Sequence, residues 1–95
     1  MSFAEWHVLE VTDRLIREKD EPVSQLEVSR RTELSKSSVS ELIHALRRHG
    51  LVDVGPDQWG VSDRILIAQK GEQLLVALRQ ELGEVARALV STRVA

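Results

Sequence analysis

The chain has 95 residues, 42% hydrophobic and 29% charged, with five Gly and two Pro, the profile of a soluble helical domain rather than a disordered or collagenous one. It holds no cysteine, which excludes disulfides, thiolate metal ligands and a cysteine nucleophile and leaves nothing that ties it to an oxidising compartment. The net charge of −2 excludes an overall basic character, and a chain this short buries only about 60–70% of its unfolded surface, so a partner subunit is expected.

From Phe3 to Lys19 apolar residues recur at helical spacing through Trp6, Val8, Leu9, Val11, Leu15 and Ile16, which predicts a first helix. Asp20-Glu21-Pro22 ends it, because the residue before a proline is pushed out of the helical region. Ser24-Gln25-Leu26-Glu27 fits a capping box and opens a short second helix. A second cap signal, Thr32-Glu33-Leu34-Ser35, closes that helix about two to three turns later.

Beyond Ser35 the apolar positions Val39, Leu42, Ile43 and Leu46 fall at i, i+3, i+4 and i+7, and Gly50 supplies a left-handed stop. The opposite face of this third helix shows Lys36, Ser37, Ser40, Glu41, His44 and Arg47, flanked by Ser38 and Arg48. Leu51 to Val54 alternates as a strand, Gly55-Pro56-Asp57 is turn chemistry, and Val61 to Ala68 returns as a second strand. A competing reading starts a long helix at Ser62 and shrinks the hairpin to Gln58-Trp59-Gly60; β-branched Ile65 and Ile67, with Gly71 beyond, favour the strand. The last helix is expected over about 70–92, where Leu75, Leu78, Leu82, Val85 and Leu89 alternate steps of three and four as an a/d seam. Leu74, Ala77, Ala86 and Val90 widen that stripe toward both the chain's own body and another subunit.

A short helix, a tight turn, a longer helix with a polar face and a hairpin occur in the order of a winged helix-turn-helix. At this point the chain resembles the MarR family of winged-helix repressors. The resemblance is carried by Leu26 and Val28, by Glu33-Leu34-Ser35-Lys36-Ser37-Ser38-Val39-Ser40, by Leu46-Arg47-Arg48-His49-Gly50-Leu51-Val52, and by Ile65-Leu66-Ile67-Ala68-Gln69-Lys70-Gly71. It implies a mainly α fold with a small β-hairpin wing and a C-terminal dimerisation helix. The expected layout is one winged-helix domain over 1–95, with helix-turn-helix and wing at about 23–69 and dimer-forming helices at 3–19 and 70–92. Asp63-Arg64-Ile65 is similar to the family's Asp-Arg-Arg-like wing tip but sits later in the hairpin. Gln69 stands where the family opens its last helix with threonine, and the chain is short for the family, so a small-molecule effector stays open.

The chemistry of the third helix points the same way. A major groove about 12 Å wide admits one α-helix, whose N-terminal and outward residues reach base edges. Lys36, Ser37, Ser38, Ser40 and His44 are the base-edge candidates, while Ser35 is expected to cap. Arg30, Arg47, Arg48 and Arg64 suit phosphates, which set register and the salt-dependent part of affinity. Between Arg30 and Gly50 five basic residues face two acidic ones, a balance of +3 that leaves −5 on the remainder. The plain alternatives are that serines in a first turn serve capping alone and that Arg47 and Arg48 answer the helix dipole. Trp59 is read either as a wing-tip contact or as a packing aromatic.

Trp6, Leu75, Leu78, Leu82, Val85 and Leu89 are the dimer-interface candidates. His7, His44 and His49 have no ligating cluster around them, and neither a phosphate loop nor a nucleophile–base arrangement occurs, so no catalytic residue, cofactor or metal is expected. The N-terminal Met1-Ser2-Phe3-Ala4-Glu5-Trp6 lacks a signal-peptide pattern, and no stretch approaches membrane-spanning length. The expected protein is therefore cytoplasmic and nucleoid-associated, with no membrane partner: a homodimer binding double-stranded DNA at an inverted repeat, as a repressor and not an enzyme. Two rivals share the scaffold, a winged-helix module that binds protein and a plasmid or viral architectural or segregation protein.

Overall fold

The computed structural model describes residues 1–55 and 64–94, with side chains as far as residue 83. The elements follow one another as α1 (Phe3–Lys19), β1 (Val23–Ser24), α2 (Gln25–Thr32), α3 (Lys36–Arg48), β2 (Val52–Gly55), β3 (Arg64–Ile67) and α4 (Gln69–Val94). The expected turn at Pro56-Asp57, the tip at Gln58-Trp59-Gly60, the strand start at Val61, the rival helix start at Ser62, and Asp63 lie outside the described residues.

Helix α1 opens on a complete capping box. The Ser2 hydroxyl accepts from the Glu5 amide, and the Glu5 carboxylate accepts from the Ser2 hydroxyl and amide. Those Ser2 hydrogen bonds hold the Glu5 carboxyl below its ordinary value. The helix ends at Asp20, whose left-handed backbone lets its amide donate to the Ile16 carbonyl, so termination precedes the proline-restricted position. At Ser24 only half of the expected box forms: the hydroxyl caps α2 by accepting from the Glu27 amide, while the Glu27 carboxylate turns to Lys19 at 3.0 Å.

The strand reading of the wing holds at Arg64–Ile67, but the sheet has three strands rather than two, in the antiparallel order β1-β3-β2. Val23 pairs with Ile65 and Ser24 with Arg64 on one side, and Val52 to Gly55 pair with Ile67 to Arg64 on the other. A two-residue strand has no periodicity to betray it, which is why the segment after Pro22 reads as a helix cap alone. The pleat turns Val52 and Ile65 into the core and leaves Asp53 and Leu66 exposed.

The core draws on all of these elements. Val8, Leu9, Val11 and Leu15 of α1 meet Val23, Val28, Val39, Ile43, Leu46, Leu51, Val52, Ile65 and Leu75. Leu75 is 1% exposed, a correction to its expected place in a dimer seam: its side chain is used up inside its own protomer.

A corner at residues 49–51 joins α3, the sheet and α4. Gly50, at φ 74°, lets its amide donate to the Arg47 carbonyl while Leu51 donates to Leu46, the paired bonds of a Schellman motif. The Leu51 carbonyl then accepts from Ala68 at 3.0 Å. Gly71, in the first turn of α4, packs so closely on this carbonyl that an added Cβ would lie 2.2 Å from it. Backbone crowds backbone here, so nothing can swing away.

Two outcomes are expected. Gly71→Ala destabilises by about 1–3 kcal/mol through overpacking, read as a lowered urea midpoint, whereas Gly55→Ala, whose Cβ meets nothing within 4 Å, leaves it nearly unchanged. The depressed Glu5 carboxyl gives the α1 cap a stability that is present above the ordinary glutamate range and lost as pH falls through the lowered value. The protection of amides in the first turn of α1, relative to their intrinsic exchange rates at each pH, should fall over that acid window before that of the core amides.

Candidate nucleic-acid interface

The site begins with the turn between α2 and α3. Glu33 takes a left-handed conformation at φ 63° and donates to the Ser29 carbonyl, closing α2. The Ser29 hydroxyl donates to the Leu34 carbonyl at 2.6 Å, and Leu34 donates to the Thr32 hydroxyl. The turn is thus held by side chains from α2 itself. Leu34 packs against the core, so α3 leaves the turn at a fixed angle.

The Ser35 hydroxyl caps α3 by accepting from the Ser38 amide and donates to the Ser38 hydroxyl at 2.9 Å. Ser38, named among the base-edge candidates, therefore has both amide and hydroxyl engaged in the cap and is half-buried. Lys36, Ser37 and His44 are exposed and Ser40 half-buried on the face opposite Val39, Ile43 and Leu46. Arg47 and Arg48 are exposed in the last turn, where they also oppose the negative end of the helix dipole.

Among the described residues the side chains of Lys36, Arg30, Arg47 and Arg48 make no hydrogen bond or ion pair and are exposed to solvent. Arg31 differs. It grips Glu18 of α1 through two guanidinium bonds of 3.2 and 2.9 Å, which hold the Glu18 carboxyl below its ordinary value and raise Arg31. The basic segment thus offers one cation fewer than its composition implies. Arg64 is half-buried in β3 beside Ser24 and Gly55 and already takes part in an interaction within the protein.

Behind this face, α1 and α4 are tied by Asp13. Its carboxylate is 6% exposed, accepts a hydrogen bond from Arg79 of α4 at 2.8 Å and forms an ion pair with Arg17 at 3.1 Å. Of the interface candidates, Leu82 is 57% exposed, and Leu78 and Trp6 are half-buried. Val85 and Leu89 belong to α4, but their side chains lie outside the described residues. Among the described residues no His, Cys, Asp or Glu group has a metal-binding arrangement, and no helix is long and apolar enough to cross a membrane.

A helix-turn-helix whose second helix bares one face, followed by an antiparallel wing, defines a winged helix-turn-helix, and comparison with known proteins agrees. The sequence of residues 14–56 matches the family model of the IclR helix-turn-helix domain. No curated protein sequence matches the chain. Among solved structures, a mutant of MepR from Staphylococcus aureus superimposes with a TM-score of 0.85 at 19% identity, over 97% of this chain and 66% of that one. The S. aureus MepR–DNA complex gives 0.72 at 21% identity, over 96% and 63%. The transcriptional regulator BldR from Sulfolobus solfataricus gives 0.72 at 22% identity, over 96% and 62%. The chain has the winged-helix fold of MarR-type regulators and spans about three fifths to two thirds of the length of these solved chains.

The α3 cap and the Asp13 tie should separate cleanly in the laboratory. Ser35→Ala removes the acceptor for the Ser38 amide and is expected to lower stability by about 0.5–2 kcal/mol. Asp13→Ala removes the carboxylate that accepts from Arg79 and pairs with Arg17, and is expected to lower it by about 1.5–3 kcal/mol. Chemical denaturation measures both, and amide exchange should place the Asp13→Ala loss first at the α1–α4 contact.

Proposed function

We propose that this protein is a sequence-specific, double-stranded DNA-binding transcriptional regulator that acts as a homodimeric repressor on an inverted repeat. The observation that carries the reading is the two-sidedness of α3. One face is locked into the core by Val39, Ile43 and Leu46, and the other bears Lys36, Ser37, Ser40, His44, Arg47 and Arg48 with none of its cations neutralised from within. A helix so held is rigid enough to enter a major groove and carries donors at the height of the base edges. Arg30 adds a phosphate-directed charge from α2, while Arg64 would serve from the wing. MepR, whose fold this chain shares, has been solved bound to DNA, which supports the same use of the fold here.

Dimerisation joins α4, with exposed Leu82 and half-buried Leu78, to Trp6 of α1 and to Val85 and Leu89 farther along the helix. Two copies of α3 would then face successive major grooves about 34 Å apart. Occupying a promoter in this way would block polymerase, and the reading assigns no reaction, cofactor or metal to the chain. The acidic net charge of −2 favours the rival in which this fold binds protein instead; a steep loss of duplex affinity with salt separates the two.

Selection from a random duplex library at two salt concentrations tests the proposal. Enrichment of an inverted repeat with half-sites about one helical turn apart is the expected result, and no binding at either salt would hand the fold to the protein-binding reading. Arg47→Ala and Arg48→Ala should weaken specific and random duplexes alike and lower the salt slope by about one for each phosphate no longer neutralised. Ser37→Ala combined with Ser40→Ala should relax sequence preference. Equal losses on both kinds of DNA for all these variants would refute that division of labour.

A further inference from the structure

Along the exposed side of α3 the residues Ser37, Glu41, His44 and Arg48 follow one another at steps of four, three and four, so they form one stripe down the helix. All four are exposed. Glu41 stands in the middle of the stripe, one turn from Ser37 on one side and one turn from His44 on the other. It is an acid at the centre of the surface that would have to approach a polyanion.

Most acids of the first two helices are answered within the protein. Glu5 closes the α1 cap, Glu10 pairs with Arg14, Asp13 with Arg17 and Arg79, Glu18 with Arg31, and Glu27 with Lys19. The Glu41 carboxylate makes no hydrogen bond or ion pair among the described residues. In the major groove a carboxylate meets chiefly acceptors: N7 and O6 of guanine, O4 of thymine and N7 of adenine. The donors are the exocyclic amino groups, and that of cytosine is free of an acceptor on its own base edge, whereas adenine sets N7 beside its amino group.

We propose that Glu41 is a specificity-determining residue, reading the exocyclic amino group of a cytosine in each half-site and repelling duplexes that present none. The inference rests on the reading that α3 enters the major groove. It assigns Glu41 two effects with one charge. At the correct site the carboxylate accepts a hydrogen bond; elsewhere it lies unpaired near base acceptors and phosphates and lowers affinity. An overall acidic chain with few unpaired cations would gain discrimination this way without tight binding to bulk DNA.

The test uses the full chain as wild type, Glu41→Ala, Glu41→Gln and a control of equal charge change away from α3, Glu21→Gln. Each is taken through duplex selection and then titrated against its motif and a random duplex at one salt concentration. Wild type is expected to enrich a cytosine at one fixed position of each half-site, worth about five- to a hundredfold against other bases. Glu41→Ala should lose preference at that position alone and bind random duplex several-fold more tightly. Glu41→Gln should move the preference toward adenine, whose N6 and N7 match an amide. The control should keep the wild-type motif and the wild-type ratio of specific to random affinity. A motif and ratio unchanged in Glu41→Ala would overturn the role of Glu41 and leave the DNA-binding reading intact. A wild type that enriches no motif would overturn base reading by α3 and this inference with it.

Discussion

The backbone of Leu51 is the contact on which the arrangement of this molecule turns. Its amide closes α3 by donating to Leu46, its carbonyl fixes Ala68 at the end of β3, and the same carbonyl forbids a side chain on Gly71 in α4. Three elements are thereby set against the backbone of one residue. Hydrophobic burial alone is non-directional and could tolerate α4 sliding along the core; a carbonyl already hydrogen-bonded and touched by a glycine Cα cannot. Leu75, one turn farther along α4, then drops into the core at a position this corner has dictated.

Electrostatics are organised by what is neutralised. The chain is acidic, yet much of its negative charge is spent on caps and internal ion pairs: Glu5 on Ser2, Glu18 on Arg31, Glu27 on Lys19 and Asp13 on two arginines. Among the described residues the unpaired Arg30, Lys36, Arg47 and Arg48 lie on α2 and α3. A net charge therefore describes this protein poorly, since a partner meets the unpaired charges and the paired ones fall away within about a Debye length.

Much of this was legible from residue order. The bounds of α1, the Ser35 cap and the glycine stop of α3 each rest on local rules, a periodic apolar stripe or a residue suited to a terminus, and local rules survive tertiary context. What escaped rests on partners far along the chain. β1 exists only because Ile65 and Arg64 come back to Val23 and Ser24, and two residues carry no pattern of their own. Leu75 has the spacing of an a/d position, but spacing names a face and not the neighbour that covers it, here the chain's own core. Gly71 reads as a helix-weakening residue, and only the fold reveals that it is the residue small enough for Leu51. Ser38 has the sequence character of any first-turn serine, and its bond to the Ser35 hydroxyl is a matter of geometry. Arg31 counts as a free cation by composition, and only the packing of α2 on α1 brings Glu18 within its reach.

The Asp13–Arg79 tie carries a mechanical consequence. Helix α4 has 26 residues, and at 1.5 Å per residue about 22 Å of it extends beyond Arg79. It is a lever whose fulcrum lies near its root. A tilt of about 10° at the Asp13 contact would carry Val94 sideways by about 4 Å. A change of one hydrogen bond at the fulcrum would thus be amplified, with no change in either helix, into a displacement larger than the length of the bond that caused it.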